Sequence, residues 1–156
     1  FSETILNGHF SPSLILERGG IRIGVFGLGV ELEGLVPLDK YGKTKYLDPI
    51  ACANKEAAEL KKKGCDLIIC LSHLGYSYAN EKISDLKLAK ATRNIHLIIG
   101  GHTHTFLEKP TEEKNLDGKT VLINQVGWGG LHLGRIDVEI TSERSIFTKQ
   151  KHVKVL

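Results

Sequence analysis

The chain has 156 residues, 41% of them apolar and 25% charged, close to the averages of soluble globular proteins and enough for one domain with a substantial core. Its formal charge of +3, pI near 8.7 and dispersed lysines and arginines give no support to nucleic-acid binding, and no apolar run approaches the ~20 residues of a membrane span. The three cysteines, Cys52, Cys65 and Cys70, are too few and wrongly spaced for a CxxC metal site or a disulfide framework.

From the start of the chain, the apolar run from Phe10 to Glu17 and the segment from Ile21 to Leu28 read as two strands joined by a glycine turn, a hairpin. The glycine-rich stretch from Gly27 to Gly34 lacks the order of a dinucleotide or P-loop fingerprint and reads as a plain loop. Asp48-Pro49 is a helix start, with aspartate as cap and proline at the first helical position. Ile50, Ala53 or Ala57, and Leu60 lie on one side of that helix. Lys61 to Lys63 suit its negative end, and Gly64 stops it. Cys65 to Leu71 is a continuous apolar run of strand length, as in parallel strands covered on both faces. Cys65 and Cys70, at or in that run, read as small buried hydrophobes.

A second helix fits Ser84 to Thr92, and Ile95 to Ile99 is the next buried strand. Strand, helix, strand, helix, strand is the repeating unit of an α/β sheet with right-handed crossovers. Beyond it, Asn115 to Gly118 reads as a turn, and Thr120–Val126, Leu131–Ile140 and Ser145–Val155 read as strands of a β meander.

Sites in open α/β sheets form beyond the carboxyl ends of the strands. Two histidine clusters fall there: His73 after one buried run, and His102 with His104 after the next. Gly100 and Gly101 make φ > 0 available for a sharp turn and leave no side chain to block a bound ion. Neutral imidazole is the commonest transition-metal ligand, and alternate residues of an extended segment can face the same way. Two histidines one residue apart are a weak metal signal alone. A third at the end of the neighbouring strand strengthens it.

The SHLG of Ser72 to Gly75, followed by IIGGHTHTFLEKP at Ile98 to Pro110, resembles the calcineurin-like metallophosphoesterases, in particular their bacterial 5'-nucleotidase branch. LERGGIRIGVFGLG at Leu16 to Gly29 and NQVGWGGLHLGRIDVEI at Asn124 to Ile140 extend the resemblance over most of the chain. It implies an α-β-β-α sandwich, two mixed sheets face to face with helices outside, and two divalent metal ions (Zn, Mn, Fe or Mg) at the strand ends. By the same resemblance His73 and His102 would bind one metal and His104 the other. The reaction implied is two-metal hydrolysis of a phosphate monoester, a nucleoside 5'-monophosphate above all. A cyclic-nucleotide or other phosphodiesterase of the same fold, and a non-catalytic scaffold or interaction module, are the alternatives. Export, for instance to a periplasm, follows from the resemblance alone.

The family's further motifs, of the forms DxH, GDxxD and GNH[ED], do not occur here; Asn7-Gly8-His9-Phe10 has a different order and no acidic residue after it. The chain also starts at Phe1 and contains no methionine. Residues 1–156 are therefore expected to be the C-terminal portion of a metallophosphoesterase domain whose other half lies outside them, inactive alone and with no catalytic residue assigned. A half sandwich would leave an apolar sheet face exposed, so a dimer or a strand swap is expected of the fragment.

The other histidines have plainer readings. His9 is a loop residue, and His96 a sheet-packed histidine with a hydrogen-bond partner. His132 is on a loop near the site but not a ligand, and His152 is exposed on a basic strand. Trp128 either packs beneath a glycine loop or faces substrate.

Overall fold

The computed structural model describes residues 7–141, and the backbone alone of residues 146–154. Strands β1 (Ser13–Arg18) and β2 (Ile21–Leu28) pair antiparallel from Ser13↔Phe26 to Arg18↔Ile21. The two residues between them, Gly19 and Gly20, both have positive φ (56° and 78°), as a tight hairpin of right-twisted strands requires. A single helical turn, α1 (Leu38–Tyr41), interrupts the long loop that follows.

Helix α2 (Pro49–Lys62) starts as its sequence dictates: Asp48 Oδ1 accepts a 2.7 Å hydrogen bond from the Ala51 amide, and Pro49 opens the first turn. Ala53, Ala57 and Leu60 form its buried stripe. The small side chains of Ala53 and Ala57, and Gly24 opposite Leu60, let the helix lie close to the sheet. A Cβ at Gly24 of β2 would lie 2.9 Å from Leu60 Cδ2 and 3.1 Å from Cys65 Sγ. Gly64, with φ of 79°, turns the chain into β3 (Leu67–Ser72). Helix α3 (Asp85–Ala91) is capped by Ser84 Oγ, which accepts from the Lys87 amide at 3.4 Å, and leads to β4 (Leu97–Ile99).

The remaining strands are β5 (Thr111–Lys114), β6 (Thr120–Asn124), β7 (His132–Ile140) and β8 (Ile146–Lys154). The main sheet has the order β1-β2-β3-β4-β6-β5, with β2, β3, β4 and β6 parallel and the two edge strands antiparallel. A second sheet is the β7–β8 hairpin. This is the expected α/β class with two sheets, but the late strands do not form one meander. β6 joins the main sheet instead, pairing parallel with β4. Its residues Val121 to Asn124 are all buried, a burial available in the interior of a six-stranded sheet and not in a small hairpin.

The core lies between the helices and one sheet face. Phe26, Ile68, Cys70, Ile98, Val121 and Ile123 meet Ala53, Ala57, Leu60, Leu88 and Ala89. Residues alternating with these on the strands emerge on the other face. There Leu71 and Ile99 are 48% and 42% exposed, beside Cys70 and Ile98 at 0%. The apolar run of β3 thus announces cover on both faces, while cover at the carboxyl ends of β3 and β4 stands on one.

Candidate metal centre

The carboxyl ends of β3 and β4 are adjacent because these strands pair parallel, Leu71 opposite Ile99. His73 follows β3 directly, its amide donating to Leu28 O at 2.9 Å. The loop then folds back on a buried polar knot. Ser72 Oγ donates to Asp85 Oδ1 at 2.5 Å and accepts from the Leu74 amide at 3.2 Å. The two histidine-bearing loops are tied together where the Tyr76 amide donates to Thr103 Oγ1 at 2.9 Å.

Gly100 and Gly101 are needed for closeness rather than for φ. Neither has a positive φ; His102 (73°) and His104 (54°) do. The expected division of labour is reversed: the histidines carry the positive φ, and the glycines leave room that no Cβ could share. At Gly100 a Cβ would lie 2.2 Å from Asp85 Oδ2, and at Gly101 2.9 Å from His73 Nδ1. The left-handed backbone falls instead on the two histidines, at a cost of about 1 kcal/mol or more each.

The His73 and His102 rings sit edge to face with centroids 5.2 Å apart, at 69°. His73 is exposed and His102 half-buried. Burial, then the neighbouring His73, Lys82 and His104, hold His102 below its ordinary pKa of 6.5, which favours the neutral ring a metal takes. His104 does not continue an extended segment alongside His102. It is exposed and stacks on Trp128, with centroids 5.8 Å apart and planes at 16°. Trp128 is 65% exposed, so packing beneath a glycine loop is ruled out for it. His132 packs against Phe106 at 4.4 Å between centroids. His9 is an exposed turn residue, and His96 Nδ1 accepts from the Ile68 amide at 2.9 Å. The side chain of His152 lies outside the described residues.

Sequence reading missed two buried residues here. Asp85 is fully buried, with Oδ2 unpartnered beneath Gly100. Burial raises its carboxyl from 3.8 to about 6, against the Ser72 hydrogen bond. An acid in the first turn of a helix is so ordinary that Asp85 gives no separate signal. Gln125, 2% exposed, had one: two amide residues, Asn124-Gln125, close an otherwise apolar strand.

Among the described residues, no group of three or more His, Cys, Asp or Glu side chains converges as a metal cage. The donor set fits part of a divalent transition-metal site: two imidazoles in contact, one with its pKa lowered, and Gly101 making room for the His73 ring.

No protein-family model matches the chain. An apyrase of Tabanus yao is 33% identical over an alignment of 150 positions that covers 86% of this chain and 26% of the apyrase. The trifunctional nucleotide phosphoesterase protein YfkN of Bacillus subtilis is 32% identical over 147 residues, 93% of this chain and 9% of YfkN. Its solved structure, described as a calcineurin-like phosphoesterase, shares the fold at a TM-score of 0.67 and 23% identity, covering 94% of this chain and 52% of that one. The structure of a 5'-nucleotidase precursor from Thermus thermophilus matches at a TM-score of 0.80 and 32% identity, over 97% of this chain and 31% of that one. The fold is that of a phosphoesterase domain. The chain belongs to the calcineurin-like phosphoesterases, on the branch that holds the 5'-nucleotidases. It spans about a quarter of the apyrase and about a third of the Thermus structure.

Proposed function

We propose that this chain supplies the histidine half of a dinuclear phosphoesterase centre, in a protein that hydrolyses phosphate monoesters, nucleoside 5'-monophosphates above all. The observation that carries the reading is the contact between His73 and His102 at the ends of two adjacent parallel strands, with His104 two residues on. The names of the relatives, which are nucleotidases, apyrases and nucleotide phosphoesterases, support the substrate class. In this reading His73 and His102 hold one divalent ion and His104 contributes to the second. Divalent ions at such a site activate water and stabilise charge on the phosphoryl group. The chain's own part is to keep the imidazoles at a fixed spacing, on loops backed by the sheet.

Three neutral imidazoles cannot offset two dications. The carboxylates that complete the site are therefore assigned to sequence outside these 156 residues, so that residues 1–156 form the C-terminal portion of the catalytic domain. The 156-residue chain alone is then inactive.

Phosphate release from nucleoside 5'-monophosphates tests this, using the protein as its gene encodes it and Mn²⁺ or Zn²⁺. His102→Ala should lower kcat/KM more than about a hundredfold. Turnover unaffected by His102→Ala, or robust turnover by the 156-residue chain alone, contradicts the reading.

A further inference from the structure

The loop carrying His102 and His104 raises a physical question: what holds two non-glycine residues in left-handed backbone within three positions of each other? Such conformations persist only where the surroundings over-determine them. A main-chain bond from the Thr103 amide to Gly101 O, at 3.0 Å, closes a turn at His102, and one side chain spans the whole loop. Gln125 follows β6, and its buried amide is bonded through both nitrogen and oxygen. Its Nε2 donates to Gly101 O at 2.8 Å. Its Oε1 accepts from the Thr105 amide and, at 3.1 Å, from Thr103 Oγ1. The amide can be oriented only one way, since Gly101 O, which also accepts from the Thr103 amide, cannot donate and the Thr105 N–H cannot accept.

These three contacts fall on Gly101, Thr103 and Thr105, the residues that flank and separate His102 and His104. Around them the same stretch of β6 adds main-chain bonds: Gly100 N to Asn124 O at 2.8 Å and Leu107 N to Gln125 O at 3.0 Å. Thr103, held by Gln125, also receives the Tyr76 amide from the loop that carries His73. One amide therefore reaches the setting of all three imidazoles.

We propose that Gln125 is the positioning residue of this centre: its side-chain amide clamps Gly101, Thr103 and Thr105 and so fixes the two histidines between them. The inference rests on the metal-binding reading of His73, His102 and His104. Glutamate has the same shape but lacks the donor for Gly101 O and puts a charge in a buried position. Methionine keeps the bulk and loses every bond. A side chain that only filled space would tolerate methionine without effect on metal binding.

The test uses the protein as its gene encodes it, with Zn²⁺ as the probe in calorimetric titrations and urea unfolding as the check on folding. His102→Ala is the control. Gln125→Glu and Gln125→Met, both folded, should each weaken Zn²⁺ binding about 10- to 100-fold, the usual cost of losing a group that orients a ligand. They should also change the visible spectrum of the Co²⁺-loaded protein. If His102→Ala binds Zn²⁺ like the wild type, the metal reading fails and this inference falls with it. If His102→Ala loses binding while folded Q125E and Q125M bind like the wild type, the role of Gln125 alone is overturned. Should neither variant fold, hydrogen exchange of the wild type decides. The Thr105 amide should be protected, and more strongly with Zn²⁺; free exchange that Zn²⁺ leaves unchanged overturns the inference.

Discussion

A methyl group added at Gly100 would stand 2.2 Å from Asp85 Oδ2, and one added at Gly101 would stand 2.9 Å from His73 Nδ1. The two positions differ in what must yield. Asp85 is buried, bonded to Ser72 and fixed in the first turn of α3, so Gly100→Ala should destabilise the fold by about 1–3 kcal/mol in urea unfolding. His73 is exposed and can swing aside, so Gly101→Ala should leave stability nearly unchanged while weakening metal binding. Two buried titratable groups add a pH prediction. Burial, with repulsion from Lys61 and Lys119, lowers His96 from 6.5 to about 4. The unfolded chain therefore binds its proton more readily, and this contribution to stability is complete above pH 6.5 and lost as pH falls toward 4. Asp85, raised from 3.8 to about 6, acts in the opposite sense: its protonated form is favoured by folding, so stability falls as pH rises from 3.8 through 6. In the metal-free wild type the two trends offset one another between about pH 4 and 6. In His96→Gln, which keeps an acceptor for the Ile68 amide, stability should fall with rising pH over that window.

At the scale of the element, the helices were the most legible part of the sequence. Asp48-Pro49 and Ser84 mark their starts because capping depends on residues adjacent to the end it serves. Asp48→Ala should cost about 1 kcal/mol in thermal or urea unfolding. The hairpin at Gly19-Gly20 was legible for the same local reason. β5 was not: Thr111-Glu112-Glu113-Lys114 has no apolar run, and it is a strand because it edges β6, where charged residues also discourage further pairing. The destination of β6 was equally hidden, since an apolar strand fits a meander or the middle of a sheet, and only long-range pairing separates them. The three histidines were legible from their place after apolar strands. The clamp from Gln125 was not, because it depends on β6 lying beside β4. His104 was expected on an extended segment, but its backbone is left-handed, with φ of 54°.

At the scale of the molecule, the half-exposed Leu71 and Ile99 end strands whose other face is packed against helices. Leu14, 58% exposed on the edge strand β1, extends the apolar surface. Each apolar side chain returned to cover is worth about 1.5–3 kcal/mol when fully buried, so this surface favours association. In sedimentation velocity the isolated 156-residue chain should form dimers or larger species. A compact monomer at all concentrations would mean that the face needs no cover. The central claim, that the ends of β3 and β4 carry a divalent-metal site, is tested most directly by anomalous X-ray scattering from crystals of the protein as its gene encodes it, grown with Mn²⁺. The account predicts an anomalous peak within bonding distance of the His73 and His102 imidazoles, absent from His102→Ala crystals. Fully occupied Mn²⁺ elsewhere in the protein, with none at these two rings, would contradict it.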